Sequence, residues 1–354
     1  MVHSGDLYLI VPVLYLIPYS SYLIIYYTFL FQISYFLFVR PYFCSVKISV
    51  CIPAYKNADF LRRCLDSLVT QSFRDFELVL SDDSPDDSVA RIAEEYKDDL
   101  QIVYLKNNPS LGTPANWNFA MQHAKGEYIK LMHDDDWFAE KDALQKFYDC
   151  LEKNPSADFC FSAFHNVHLK EGNMQPVFCS SFLRNLLKKD RYNLFKRNFI
   201  GPPSVVFQRN NRKDWYDDRL KWLVDFEGYI RFLDSRGSFV YINECLVNIG
   251  LSGEQVTSAV QHDAKTVLPE SLYFLKKHGT GILKNIFVYD YYWRTLRNFS
   301  VRDEADITKS GWKEALPQQI VSMIGLQKKI PSFLLKTGPF SKALMFMSYM
   351  LNRK

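Results

Sequence analysis

Apolar residues along the chain fall into short continuous runs that alternate with stretches of helical spacing. Five runs rich in Val, Ile, Leu and Phe favour buried β-strands; they are residues 48–53, 76–81, 102–105, 128–132 and 158–164. Between them, apolar positions recur every three or four residues, which predicts amphipathic helices; these are residues 60–69, 88–96, 115–123 and 141–153. Strands that alternate with helices of this length predict βαβ units and a mostly parallel sheet.

Acidic residues directly follow two of the predicted strands. Asp82 and Asp83 come after the run 76–81, and Asp134-Asp135-Asp136 comes after the run 128–132. Right-handed crossovers bring the carboxyl ends of parallel strands to one edge, where open α/β sheets bind ligands. Three adjacent carboxylates repel one another, and a divalent cation would compensate them. We therefore expect a metal-competent nucleotide cleft, whereas the alternative is an acidic turn that caps the next helix.

Composition restricts the class of protein without naming a site. The chain has 354 residues, 23% charged side chains and a formal net charge of +4, which gives no case for general nucleic-acid binding. The seven cysteines are an odd number with no Cys-x-x-Cys pair, and no histidines cluster at ligand spacing. This pattern disfavours a disulfide framework or a zinc site and favours a reducing compartment.

The amino-terminal segment is apolar. Residues 7–39 contain no charged side chain, and about 20 such residues span a bilayer, so one membrane helix fits, most readily at 19–39. Arg40 and Lys47 follow it, and this positive charge places the rest of the chain at the cytoplasmic face of the membrane. The alternative is that residues 1–45 are upstream sequence from a misassigned start and that the protein begins at Val46.

The carboxyl-terminal region is helical in pattern and basic. Residues 322–354 contain no Asp or Glu, and six Lys or Arg side chains stand among apolar ones. Such a segment suits a helix on an anionic membrane surface, while the alternative is a terminal helix docked on the domain's own core. The predicted organisation is therefore an apolar segment (1–45), an α/β domain (46–262) and a helical, basic region (263–354).

Several blocks in order resemble glycosyltransferase family 2. They are Ile48–Asn57, Ser81–Ser84, Gly126–Ile129 and Asp134–Asp136, and the resemblance runs from about Val46 to about Ser258. It implies a Rossmann-like GT-A fold and an inverting, metal-dependent transfer of a hexosyl group from a nucleoside-diphosphate sugar, expected to be UDP-linked. The implied acceptor is a glycan or a lipid-linked acceptor in cell-surface polysaccharide synthesis, with the enzyme associated with the membrane.

The resemblance also implies roles for residues on the donor side. Pro53 and Tyr55 would line the nucleobase pocket, with the Tyr55 ring stacked on the base. Asp82 and Asp83 would read the base edge and the ribose, although this chain has Asp-Asp-Ser-Pro where the family usually has Asp-Asp-Gly-Ser. The family often carries an Arg near Gly112, and none is present here; for Asn116 and Asn118 we expect a packing role.

The metal and the general base follow from the later blocks. Asp135 is the expected ligand of Mg²⁺ or Mn²⁺, and Asp134 is expected to face the ribose, with Asp136 behind them. His133 stands where the family has its first acid, and we favour it as a neighbour of the metal over a ligand. Asp225 is the expected catalytic base, although Val224 replaces the acid before it; Glu227 is the alternative base.

Two other functions remain as alternatives at this point. A sugar nucleotidyltransferase also uses a Rossmann-like cleft and a divalent cation, but those enzymes typically carry a Gly-rich, basic loop where this chain has Pro53-Ala54-Tyr55-Lys56. A degenerate family member would bind a nucleotide sugar without turnover, and the substitutions at His133 and Val224 are the features that suggest it.

Overall fold

A nine-stranded mixed sheet lies at the centre of the fold in the computed structural model, which describes residues 46–233, 238–252 and 260–353. The strands are β1 (Ile48–Ala54), β2 (Phe76–Asp82), β3 (Ile102–Lys106), β4 (Tyr128–Leu131), β5 (Trp137–Phe138), β6 (Phe159–His168), β7 (Asn173–Val177), β8 (Val206–Arg209) and β9 (Phe239–Leu251). They are ordered β3-β2-β1-β4-β8-β6-β9-β5, and β7 pairs with β6 at the side of this path.

Helices cover the sheet and continue beyond it. They are α1 (Ala58–Val69), α2 (Ser88–Glu95), α3 (Ala115–Gln122), α4 (Ala143–Glu152), α5 (Ser181–Lys189), α6 (Val224–Phe232), α7 (Ala264–His278), α8 (Ile286–Asn298), α9 (Glu304–Lys309), α10 (Gln318–Lys328), α11 (Ser332–Lys336) and α12 (Gly338–Asn352). Short 3₁₀ turns lie at Arg191–Lys196, Pro203–Val205 and Thr280–Lys284.

The first half of the sheet has the predicted βαβ organisation. Strands β1, β2, β3 and β4 pair in parallel, and every residue of β1 and β2 is buried. The five strands predicted from apolar runs are all present, with ends that differ by a few residues at most. The apolar stripe of α1 packs its side chains Leu61, Leu65 and Leu68 into the core. The α/β fold class is therefore confirmed for this half.

The prediction of a mostly parallel sheet is wrong for the second half. Strand β8 enters antiparallel between β4 and β6, and β5 and β7 also pair antiparallel with their neighbours. Four of the eight strand pairings are antiparallel, so the sheet is mixed. An apolar run reports that a strand is buried and not which way it runs, and a strand as short as β8 carries little pattern.

The carboxyl-terminal helices pack onto the same hydrophobic core. Buried aromatic side chains of α8 connect it to two other helices. Tyr292 donates to the Ser271 carbonyl of α7 at 2.6 Å, and Trp293 donates to the Ser341 hydroxyl of α12 at 3.1 Å. One face of α12 therefore docks on the domain, in agreement with the predicted alternative of a terminal helix docked on the domain's own core. The predicted amino-terminal membrane helix lies outside the described residues, and within them no helix is long and apolar enough to span a membrane.

Candidate functional site

The carboxyl ends of β1 and β4 form the edge at which the predicted site residues meet. The two strands pair in register up to Cys51 and Leu131, and the Met132 amide then donates to the Cys51 carbonyl at 2.9 Å. Just beyond the strands, the Tyr55 amide donates to the Asp134 carboxylate at 3.1 Å. The first block and the acidic triplet, 79 residues apart in the chain, are thus joined directly, as parallel strand order predicts.

Three side chains at this edge could hold a cation together. One ligand atom from each of His133, Asp135 and Asp136 lies within 4.8 Å of the other two. Asp134 is outside this group because its carboxylate turns toward Tyr55. The structure therefore brings His133 and Asp136 close to Asp135. That His133 is a neighbour and that Asp136 stands behind the ligands stays a prediction.

The electrostatics of the cluster fit a bound divalent cation. Burial and the adjacent Asp135 raise the pKa of Asp136 well above its ordinary value, and burial together with Asp135 raises the pKa of Asp134 to about 7. Burial and the charge of Lys130 lower the pKa of His133 to about 4, so its imidazole is neutral at pH 7, as a metal ligand must be. Its Nε2 atom is buried and has no hydrogen-bond partner among the described residues. The donor set thus suits Mn²⁺ or Mg²⁺.

Residues distant in sequence support this cluster, and sequence analysis missed them. The Ser204 hydroxyl accepts the His133 amide at 3.0 Å and donates to the Asp136 carboxylate. The Gly250 amide in β9 donates to Asp136 at 3.1 Å, and a Cβ atom at Gly250 would lie 2.3 Å from the Asp135 carbonyl oxygen. A Gly in a strand can mark such a close approach, but only the fold shows what it approaches.

The fully buried Lys130 lies beneath the cluster. Its ammonium donates to the carbonyl of Ser204, and burial lowers its pKa to about 7. It therefore ties β4 to the segment before β8, which carries the Ser204 hydroxyl used by the cluster. The signal for it in the sequence is a charged residue, Lys130, inside an otherwise apolar strand run.

The predicted nucleobase pocket has one exposed and one buried component. Tyr55 is 50% exposed at the end of β1, so its ring is available for stacking, and the Lys56 ammonium lies 4.9 Å from the ring centroid. Pro53 is buried within β1, paired with Ser81, and can shape the pocket only from below. Of the two residues predicted here, Tyr55 is the one that a base could contact.

Asp82 and Asp83, which were predicted to contact the base and the ribose, are hydrogen-bonded within the protein. Asp82 is fully buried and accepts hydrogen bonds from Tyr104 at 2.7 Å, Lys106 at 2.9 Å and the Ser84 amide at 2.7 Å. Both oxygens of Asp82 are therefore used within the protein. A carboxylate so placed holds the loop that follows β2.

Asp83 is likewise used inside the protein. Its carboxylate accepts from the Asn107 side chain at 2.8 Å and from the amides of Leu111 and Gly112 at 3.1 and 2.7 Å. Asn116 joins this network through Ser81 and Asn107, which agrees with the packing role expected for it. The acidic pair thus fixes the shape of the site's rim.

Asp225 lies in the first turn of α6 and is connected to the cluster through aromatic side chains. The Trp117 ring lies 4.6 Å from the His133 ring and 5.4 Å from the Tyr216 ring. Burial raises the pKa of the Tyr216 phenol, and Tyr216 lies close enough to Asp225 for the carboxylate to raise it further. The Asn118 side chain holds Tyr216 in place through its backbone amide at 3.0 Å and its carbonyl at 2.7 Å.

The Asp225 carboxylate has the properties of a general base. Burial raises its pKa to about 7, and no described residue gives the carboxylate a hydrogen bond or an ion pair. A carboxylate whose pKa lies near neutral pH is the kind that accepts a proton efficiently in catalysis. Desolvation of an acid without a partner is also typical of functional sites.

Glu227, the alternative base, is fully buried in a network of cations. Its carboxylate lies 3.0 Å from Arg231, 2.7 Å from Lys277 and 3.6 Å from His278. Burial opposes its ionisation, but the bonds from these three side chains together lower the pKa of Glu227 to about 2. The structure therefore places Glu227 in the contact between α6 and α7, whereas the Asp225 carboxylate has no ion pair among the described residues.

An acid of α7 caps the helix that carries Asp225. The Glu270 carboxylate accepts hydrogen bonds from the amides of Lys221, Trp222 and Leu223, at 2.8, 2.8 and 3.3 Å. These residues immediately precede α6, whose N-cap residue Leu223 offers no side-chain cap of its own. Helix α7, which the sequence placed in a separate region, thus contributes to the position of the base.

Comparison with protein families gives one match. Residues 49–216 match the model described as "Glycosyl transferase family 2". This range includes Tyr55, the acidic cluster and Ser204, whereas Asp225 lies beyond its end.

Among curated proteins, an uncharacterized glycosyltransferase of Methanocaldococcus jannaschii is 28% identical over 56% of this chain and 69% of its own length. The chondroitin synthase of Escherichia coli is 26% identical over 59% of this chain but only 30% of its own length. The chain therefore spans less than a third of that larger relative.

Among solved structures, S. aureus TarS (residues 1–349) in complex with UDP has a TM-score of 0.54 at 18% identity, over 87% of this chain and 90% of that one. The mannosyltransferase PcManGT of Pyrobaculum calidifontis, in complex with GDP-Man and Mn²⁺, has a TM-score of 0.50 at 14% identity, over 94% and 96%. Both likenesses concern the fold.

Proposed function

We propose that this chain, a glycosyltransferase with a family 2 domain, transfers a sugar from a nucleoside-diphosphate donor to a glycan or lipid-linked acceptor with inversion at the anomeric carbon. The resemblance seen in the sequence blocks is confirmed by the family match. The inverting course, the UDP-linked donor and the acceptor class belong to the proposal. The relative named chondroitin synthase and the TarS complex with UDP support a role in surface polysaccharide synthesis from a UDP-sugar.

The observation that carries the proposal is the cluster of His133, Asp135 and Asp136 at the carboxyl edge of β4. In this proposal these three side chains hold Mn²⁺ or Mg²⁺, and the cation would neutralise the diphosphate leaving group. Asp134 keeps its contact with Tyr55, and Tyr55 stacks on the base. The neighbour PcManGT was solved with Mn²⁺, which supports a metal of this class.

Asp225 acts on the acceptor in the same proposal. Its carboxylate takes the proton from the acceptor hydroxyl while that oxygen attacks the anomeric carbon, and the nucleoside diphosphate leaves from the opposite face. Trp117 and Tyr216 lie between the cluster and Asp225 and keep α6 beside the donor edge. The sugar nucleotidyltransferase alternative has no support in the family match.

The test is nucleoside-diphosphate release by the purified full chain from a panel of UDP- and GDP-sugars, with Mn²⁺ or Mg²⁺ present. We expect release from at least one donor, its loss in excess chelator, and its loss in Asp135→Asn. Asp98→Asn is the matched control, since Asp98 is an exposed acid far from the edge.

Turnover at the wild-type rate in excess chelator would contradict the metal role. Donor binding without any release would instead favour the degenerate member, which binds a nucleotide sugar and does not transfer it. His133→Ala separates ligand from neighbour, because loss of a ligand raises the Mn²⁺ concentration needed for half-maximal release and loss of a neighbour does not.

A further inference from the structure

The last helix, α12, has two faces of different character. Its inner face carries Ser341, Met345, Ser348 and Tyr349, all buried against the domain. These side chains are bonded there: Ser348 meets the Tyr289 hydroxyl at 2.7 Å, and the Tyr349 hydroxyl donates to the Lys284 carbonyl at 2.7 Å. The inner face is therefore the one that docks on the core.

The outer face of α12 is apolar as well. Its exposed large side chains are Phe340 (40%), Phe346 (51%), Met347 (45%), Met350 (52%) and Leu351 (72%). Helical spacing places these five opposite the buried residues, and the only charged residue exposed on α12 is Lys342. A helix on the surface of a soluble domain normally turns polar residues outward.

This patch accounts for much of the apolar exposure in the described part of the chain. Of eleven large hydrophobic side chains that are exposed there, six lie between Phe333 and Leu351; Phe333, in α11, is 70% exposed. Exposed apolar side chains that are scattered singly need no explanation, but a contiguous patch marks an interaction surface. We call the exposed apolar side chains of α11 and α12 the outer patch.

The charge around the outer patch is of one sign. Residues 315–354 contain six Lys or Arg and no Asp or Glu, so the preceding 314 residues carry a net charge of −2. Lys328, Lys329, Lys336, Lys342 and Arg353 are all exposed. A packed neighbour contributes one acid here, Asp290 of α8, whose carboxylate lies 3.4 Å from the Lys342 ammonium. The partner of this surface must therefore tolerate apolar contact and supply negative charge.

We propose that the outer patch lies on the surface of a bilayer that contains anionic lipid. An interfacial helix buries an apolar face at the boundary of head groups and acyl chains, while neighbouring Lys and Arg side chains attract anionic head groups. A second copy of this chain is a poor partner, because it would bring a second basic segment against the first. The proposal is independent of the sugar transfer.

Methionine oxidation of the full chain tests the proposal locally. Hydrogen peroxide converts exposed methionine to the sulfoxide, which mass spectrometry locates by residue. With vesicles of equal parts phosphatidylcholine and phosphatidylglycerol, we expect Met347 and Met350 to oxidise several-fold more slowly than without vesicles. Met174 in β7 is the internal control, because it is 52% exposed, as Met350 is, and should oxidise at an unchanged rate.

Three results would overturn the proposal. Equal protection of Met174 would mean that the vesicles shield the whole protein, and equal protection by pure phosphatidylcholine would remove the charge argument. If Met350 oxidised more slowly than Met174 even without vesicles, protein and not lipid would cover the patch. An unchanged oxidation rate of Met347 and Met350 on anionic vesicles would likewise contradict it.

A pair of variants ties the protection to the outer patch. Phe346→Glu combined with Leu351→Glu changes two exposed side chains, so the fold should persist while the protection of Met350 is lost. Phe182→Glu on α5 replaces a residue that is 62% exposed elsewhere and should keep the protection. Retained protection in the double variant would refute the assignment to this face.

Discussion

Two groups of buried or half-buried acids in this chain are held in opposite ways. At the carboxyl edge of β4, Asp134 and Asp136 face Asp135, and burial with this repulsion raises their pKa values. Between α6 and α7, Glu227 and Asp217 face cations, and both have lowered pKa values despite burial. Asp225 is on the same helix as Glu227 but belongs with the first group, because its pKa is raised by burial alone.

This difference distinguishes acids of a functional site from acids that hold two structural elements together. An acid that is buried with its cations is satisfied within the protein, so removing it costs folding free energy and leaves cations without a partner. An acid that is buried without compensation lowers the stability of the free protein, and it is the kind of group that a ligand or a proton transfer makes use of. The mutations and the pH series below test whether this division holds.

The largest effect is expected for Asp225→Asn. Loss of the general base should reduce kcat by about 10²–10⁴-fold, while the free energy of unfolding at pH 8 stays the same or rises, because an unpaired buried charge is removed. Transfer assays with thermal unfolding measure both quantities. Asp218→Asn, at an exposed acid close in sequence, should leave kcat unchanged. Full activity in Asp225→Asn would mean that Asp225 is not the general base.

Glu227→Gln should act on stability instead. The change leaves Arg231 and Lys277 beside a neutral group, and removing one partner of a buried ion pair costs about 3–5 kcal/mol in the free energy of unfolding. Chemical denaturation measures this loss. Glu314→Gln is the matched control: Glu314 pairs with Lys276 at 2.8 Å but is half exposed, so it should lose less than about 1 kcal/mol. A stable Glu227→Gln protein without activity would make Glu227 the base.

The smallest effect is expected in the pH dependence. Because the base must be ionised, kcat/KM should rise as the pH passes about 7. It should fall about fivefold from pH 7 to pH 6 and approach about a tenfold fall per pH unit below that. The pKa of Asp225 rises from 3.8 to about 7 on folding, so its contribution to stability is present at low pH and lost as the pH increases across that range.

Glu227 has the opposite sign. Its pKa falls from 4.5 to about 2 on folding, so the stability that it contributes is present above 4.5 and lost as the pH falls toward 2. Unfolding midpoints measured across both pH ranges, for the wild type and for each variant, give the contributions of Asp225 and Glu227 to stability. If Asp225→Asn kept the rise of kcat/KM near pH 7 in its residual activity, another group would be responsible for it.

Part of the fold and part of the site could be predicted from the sequence. The strands β1 to β4 are continuous apolar runs that end in turns, and a run of this kind reports burial without any knowledge of its neighbours. The edge shared by Tyr55 and Asp134 followed from parallel strand order alone. Strand direction in β8 and the supports Ser204 and Gly250 could not be predicted, because no apolar run or strand order in the sequence indicates which residues they meet.

The sequence by itself determined where the chain bears apolar runs, where acids follow them and which family its blocks match. Only the tertiary structure decided what each acid faces. Asp82 and Asp83 were predicted to contact the nucleotide, and the structure shows them bonded to Lys106 and Asn107. Asp225 was the expected base with Glu227 as the alternative, and only the structure shows that Lys277 lies beside Glu227. The physical reason is that the ionisation of a carboxylate depends on the charges and the solvent around it, and these come from elements that the chain brings together only on folding.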